Sequence, residues 1–128
     1  MQITKLKTFE GACKVLGLNS KKAIPSFAAY PLRDRKAMVA HAKLVIIARA
    51  ANRIGNGGKE WKPDWNNGQW DKYYPWFEMG GSSGFRSLVF DILSSDSTVG
   101  SRLCFISNEV ATHVAKQFIK LYKDYFTM

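Results

Sequence analysis

Seven of the seventeen residues from Trp61 to Phe77 are aromatic, and all four tryptophans of the chain lie among them: Trp61, Trp65, Trp70, Tyr73, Tyr74, Trp76 and Phe77. Asp64, Asn66, Asn67, Gln69 and Asp71 are interleaved. Aromatic faces stack on nucleobases, at roughly 1–3 kcal/mol per base. Indole rings with Asn and Asp beside them also hold sugars, and a cage of rings encloses a cation. The structural use of the same residues is burial of large areas, with the polar tips fastening irregular loops. The alternation Tyr73/Pro75/Phe77 against Tyr74/Trp76/Glu78 puts large rings on both faces of a strand, so one face covers a core and the other stays partly open.

The second set is basic. Net charge is +9, and its distribution is uneven: residues 1–59 hold twelve Lys/Arg against Glu10 and Asp34, whereas residues 60–128 hold seven against eight acids. Such asymmetry points to an anionic partner. Lys36 and Lys43 are seven apart and share one side of a helix; Arg49 and Arg53, four apart, also align. A basic surface of this kind neutralises phosphates by counterion release and needs no base readout. No zinc-finger, helix-turn-helix or RNA-recognition signature accompanies it. Gly80-Gly81-Ser82-Ser83-Gly84 lacks the Lys-Ser/Thr ending of a phosphate loop and reads as a hairpin turn.

Catalytic constellations are sparse. The histidines are His41 and His113, and no His, Cys, Asp or Glu spacing matches a metal site. Cys104 and His113 could meet in space, but Cys104 lies in an apolar stretch that reads as a buried strand. The acid pairs Asp64/Asp71 and Asp91/Asp96 fall in loop-rich segments where solvated acids are ordinary. His41 sits on an otherwise apolar helix and reads as a satisfied interior histidine. The expectation is a protein that is not an enzyme and holds no cofactor and no metal.

The elements that must position these residues follow from periodicity and punctuation. A length of 128 residues fits one domain, basic and helical over 1–59 and aromatic-rich over 60–128. A first helix runs from the N-cap Thr8 to about Leu16, stopped by Gly17. Residues 18–31 form a loop marked by Pro25 and Pro31, and a second helix spans about 32–53, apolar nearly all round and so central. Stretches at 73–79, 85–93 and 102–106, separated by Gly- and Ser-rich turns, predict a three-stranded antiparallel sheet, with Pro75 marking an edge strand or a late start. Ser107 caps a last helix whose apolar face carries Val110, Val114, Phe118, Tyr122 and Tyr125. The expected class is α+β: two N-terminal helices, the small sheet, and the C-terminal helix packed on it. Residues 1–7 contain no apolar stretch of signal-peptide length, and no run reaches the length of a membrane span. Cytoplasmic residence in the cell that makes it, two buried free thiols at Cys13 and Cys104, and no membrane partner are expected.

Two stretches together carry a resemblance. They are Trp61-Lys62-Pro63-Asp64-Trp65 with Lys72-Tyr73-Tyr74-Pro75-Trp76-Phe77, and Gly100-Ser101-Arg102-Leu103-Cys104-Phe105 with the helix after Ser107. Over roughly residues 60–126 the chain resembles a family of small uncharacterised proteins from gut Bacteroides and the phages that infect them. The resemblance implies a phage or mobile-element context and supplies no catalytic residues. The leading expectation is a non-enzymatic accessory protein that binds nucleic acid: Lys36, Lys43, Arg49 and Arg53 hold phosphates while Trp61, Trp65, Trp70, Tyr73 and Trp76 stack bases. Two other readings stand beside it. One is sequestration of an anionic nucleotide signal of a defence system, in pockets between subunits of an oligomer. The other is inhibition of a host or phage protein, with Trp and Arg as anchors.

Overall fold

The structure, a computed structural model, describes residues 1–64, 66, 72–77, 90–95 and 102–127. The turn at 80–84, the expected strand residues 79 and 85–89, and the turn residues 96–98 lie outside the described residues.

A 3-10 turn at Ile3–Lys5 leads into α1, Phe9–Leu16. Thr8 caps α1 as the sequence suggests: its hydroxyl accepts from the Gly11 N–H at 3.0 Å. Gly17 ends it in the left-handed region at φ 71°, and the Leu18 N–H returns to the Cys13 carbonyl at 2.8 Å. The long helix α2, Leu32–Gly55, starts at Pro31 and runs two residues beyond the expected end. Its terminus turns through Gly57 and Gly58 at φ 69° and 87°, with the Gly58 N–H on the Arg53 carbonyl at 2.9 Å. The central position expected of α2 is observed: α1, α3 and α4 all pack on it. Ala40, Leu44, Ile47, Ala48 and Ala51 form its buried stripe, and the alanines let three helices come close.

The expected continuous last helix is two helices, α3 at Asn108–Gln117 and α4 at Ile119–Phe126. Ser107 caps α3 as expected, accepting from the Val110 N–H at 3.2 Å. The break falls at Phe118, whose backbone leaves helical geometry at φ −112°, ψ 29° while its ring stays in the core. The kink re-aims α4, so that Tyr122 and Phe126 meet the Phe77 ring at centroid distances of 5.0 and 5.9 Å and Tyr125 meets His41. The core joins these rings to Leu6, Leu44, Ile47, Phe105 and Val114.

The expected α+β class and its three-stranded antiparallel sheet do not hold. Four α-helices dominate the described residues, and the described strands are β1, Lys72–Phe77, and β2, Phe90–Ser95. They form a two-stranded antiparallel ribbon with Lys72 opposite Ser95 and Phe77 opposite Phe90. Residues 102–106 contribute a single bridge, in which Tyr73 and Phe105 exchange N–H···O bonds of 3.2 and 2.9 Å. Two features stop the ladder there. In this register Pro75 comes opposite Leu103, and proline has no N–H to donate. On the other side the chain turns into the α3 cap at Ser107. The outward backbone groups of the bridge go to a helix instead. Asn52 on α2 donates Nδ2 to the Cys104 carbonyl, and its Oδ1 accepts from the Ile106 N–H, both at 2.9 Å. The C-terminal part therefore packs mainly helix on helix, with α3 also touching both strands.

The histidines also fill structural positions. His41 packs against Tyr125 with ring centroids 4.7 Å apart and planes tilted by 34°, and its Nδ1 is buried with no hydrogen-bond partner, so the satisfied interior histidine expected there is not what forms. His113 is half-buried with Nε2 2.7 Å from the Leu6 carbonyl. With Gln117, which donates to the Lys7 carbonyl at 3.0 Å, it fastens the N-terminal segment to α3.

Candidate functional site

One groove gathers cations on a fixed frame. It lies between α2 and α4, has a volume of about 370 Å³, and is lined by Arg35, Lys36, Val39, Ala40, Lys43, Leu121 and Asp124. Helical spacing explains the set: positions 36, 39, 40 and 43 fall on one side of α2, and 121 and 124 on one side of α4. The walls are apolar and the rim is charged, with three cations facing one carboxylate.

Each cation is held differently. The Lys36 Nζ lies 3.3 Å from Asp124 Oδ1, with its side chain 74% exposed and Asp124 mostly covered. The exposed ammonium end keeps the pair screened by solvent and its contribution small, on the order of 1 kcal/mol, so Lys36 can exchange the carboxylate for an incoming anion. Lys43 Nζ sits 5.4 Å from the centroid of the Phe9 ring, a cation–π contact that leaves the ammonium without an acid partner among the described residues. Arg35 is fixed from behind: Nε donates to the Tyr30 carbonyl at 2.9 Å and Nη2 to the Ala28 carbonyl at 2.7 Å. Lys120, one helical turn before Asp124, is exposed beside the groove.

The nine residues singled out from sequence do not converge. Lys36 and Lys43 share the groove. Arg49 is exposed further along α2, and Arg53 closes the helix terminus by donating Nε to the Gly58 carbonyl at 3.0 Å. Trp61 is half-buried just beyond the far end of α2; at a rise of ~1.5 Å per residue, roughly 28 Å separate the levels of Lys36 and Gly55 on that helix. Tyr73 is partly buried against the core and bonded through its backbone to Phe105, which makes it a wall rather than an open platform. Trp76 lies on β1 opposite Asp91. Trp65 and Trp70 lie outside the described residues.

Sequence reasoning passed over Arg35 as a site residue, and Asp124 and Tyr30 altogether. The signal available for Asp124 was its three-residue spacing from Leu121 on an amphipathic helix. Nothing in sequence reported that α4 would kink onto the Lys36 side of α2.

A second polar cluster backs the ribbon. Tyr74 comes opposite Cys104 in the register set by Tyr73 and Phe105, and Lys72 lies on the same strand face, fully buried. Burial pushes the Cys104 thiol up to about 11, against the opposing pull of a backbone hydrogen bond and of Lys72. Burial, and then the neighbouring Cys104, raise the Tyr74 phenol. Cys13 is raised as well, by burial and then by Glu10. Both cysteines are free and buried, as expected, and Cys104 stays a protonated thiol at neutral pH. Among the described residues no group of three or more His, Cys, Asp or Glu is placed to hold a metal ion. No helix among them is long and apolar enough to cross a membrane.

Compared with protein-family models, with curated proteins and with solved structures, the chain matches none.

Proposed function

We propose that the protein is a non-enzymatic accessory protein that binds nucleic acid, with the α2–α4 groove as its phosphate-holding site. The observation that carries this reading is the convergence of Arg35, Lys36 and Lys43 on one open groove that holds a single carboxylate. Lys36 and Lys43 stand ~10 Å apart along the helix axis, far enough for each ammonium to meet a different phosphate. The exposed lysines of residues 1–59 extend the positive field around the groove and favour capture of a polyanion. A phage or mobile-element setting for this activity is part of the same proposal.

The test is fluorescence anisotropy with a labelled oligothymidylate at low and moderate salt. Three neutralised phosphates give a slope of log K against log salt near −2, a loss of roughly 20-fold between 50 and 200 mM salt. Lys36→Gln with Lys43→Gln should reduce the slope by ~1.4. An unchanged affinity and slope in that double variant would refute the groove as the site. The groove's volume also falls in the range of small-ligand pockets. A mononucleotide competitor that displaces the oligonucleotide at equal molar concentration would favour sequestration of an anionic nucleotide instead.

A further inference from the structure

We infer that the groove takes single-stranded rather than duplex nucleic acid, and that Tyr30, outside the tryptophan-rich segment, is the platform on which a base stacks. This rests on the reading of the groove as a phosphate-holding site. Tyr30 is 43% exposed, a high value for a tyrosine in a small domain whose other described tyrosines are partly or wholly buried. Its carbonyl lies 2.9 Å from Arg35 Nε, and Arg35 lines the groove beside Lys36. The backbone of the residue that carries the exposed ring is therefore bonded directly to a cation of the groove.

The loop that carries the ring is built to hold it still. Ser26 Oγ accepts from the Ala28 N–H at 3.3 Å, the Tyr30 N–H closes a turn on the Phe27 carbonyl at 3.0 Å, and Arg35 takes two further carbonyls from behind. Phe27 meets the Tyr30 ring edge to face, at 5.4 Å and 73°. Those four hydrogen bonds and the ring contact order the loop before any ligand arrives, which lowers the entropy cost of binding. Leu32, two residues on in sequence, is 78% exposed.

An exposed ring next to a phosphate groove selects strand state. Bases within a duplex are stacked on one another and offer a protein no free face, whereas an unpaired base stacks on any aromatic ring without regard to its identity. Stacking is uncharged, so its loss weakens binding without changing the salt slope, and lysine removal changes the slope.

The experiment compares wild type, Tyr30→Ala, Tyr30→Trp and the Lys36→Gln/Lys43→Gln double variant, each titrated into a labelled single-stranded oligothymidylate and a duplex of the same length. Circular dichroism confirms folding; Tyr30 is a surface loop residue, so its variants should fold. The inference expects Tyr30→Ala to lose at least about fivefold for the single strand at unchanged slope, and little for the duplex. Tyr30→Trp should restore affinity, with its added fluorescence quenched on binding. If Tyr30→Ala binds both forms as wild type does while the double lysine variant weakens, this inference is overturned and the groove stands. If none of the variants alters binding, or the wild type binds neither form, both readings are overturned.

Discussion

Replacing Asn52 should cost more than any other single polar substitution on α2, because one buried amide fastens two backbone groups of another segment. Asn52 is 5% exposed. Its Nδ2 donates to the Cys104 carbonyl and its Oδ1 accepts from the Ile106 N–H, each at 2.9 Å, and this pairing fixes which end of the amide is which. Asn52→Ala removes both bonds and strands a buried acceptor and a part-buried donor, at about 1–3 kcal/mol each. A total loss of about 2–6 kcal/mol follows, a large share of the 5–15 kcal/mol typical of a domain. Asn52→Asp separates the two bonds. Its carboxylate still accepts from Ile106 but faces the Cys104 carbonyl with a negative charge, so it ionises with difficulty. Burial holds such a carboxyl above its ordinary value of ~3.9 in the folded state, and stability is then lost as pH rises through the interval above that value. Protonated, the same group donates to the carbonyl much as the amide does. Urea unfolding followed by tryptophan fluorescence, at about pH 4 and pH 7, reads both effects. Asn52→Ala within ~1 kcal/mol of wild type, or an Asn52→Asp deficit independent of pH, would refute the role given to this amide.

Three further outcomes follow from the same structure. At Gly55 a Cβ would meet the methyls Ile106 Cγ2 and Val110 Cγ2 at 2.8 and 2.9 Å, on stiff β-branched side chains. Gly55→Ala should therefore cost about 1–3 kcal/mol in thermal unfolding despite its better helix propensity. Tyr122 is 1% exposed with an unpaired hydroxyl, so Tyr122→Phe should stabilise by about 1 kcal/mol at neutral pH. Burial raises the Tyr122 phenol and lifts the Cys104 thiol from 9.0 to about 11. The folded state keeps these protons where the unfolded chain has released them, so stability falls as pH rises above about 9, and pH titration of the melting temperature should show Tyr122→Phe resisting alkali better than wild type. Asp124→Asn removes the one carboxylate of the groove. At ~4 Å in water its effect on a bound phosphate is worth ~1 kcal/mol, so oligonucleotide affinity at low salt should rise by up to about fivefold, and an unchanged affinity would count against the groove.

The helices were legible because their signals are local. Thr8, Gly17 and Ser107 act at the positions their chemistry suggests, and the nearly all-round apolar character of residues 32–53 gave α2 its central place. The third strand was misread because residues 102–106 have strand composition, while their pairing depends on what lies opposite. Pro75 withholds a donor and Asn52 supplies an alternative, and neither lies near residue 104 in sequence. At Phe118 the backbone leaves helical geometry while the Phe118 and Tyr122 side chains both stay buried, a break that helical periodicity alone does not register. Of the site, Lys36 and Lys43 were legible from seven-residue spacing. Tyr30 was hidden in a proline-punctuated loop, since exposure of one ring among many depends on the whole fold. The tryptophan cluster drew attention by composition, yet Trp61 begins at the opposite end of α2 from the groove.

The length of α2 lets one helix serve two purposes without conflict. Its C-terminal half anchors the 104–106 segment through Asn52, and its N-terminal half carries Arg35, Lys36 and Lys43. Sixteen residues separate Lys36 from Asn52, ~24 Å at helical rise. Substitutions that far apart, with no shared partner, act independently to within about 0.5 kcal/mol. Stability and ligand capture should therefore separate cleanly. Asn52→Ala lowers the unfolding midpoint and leaves oligonucleotide affinity intact wherever the protein remains folded, whereas the Lys36→Gln/Lys43→Gln variant keeps its midpoint and loses affinity. Coupling between the two sets would mean that the groove is shaped by the ribbon end of the molecule, and that helix packing alone does not account for it.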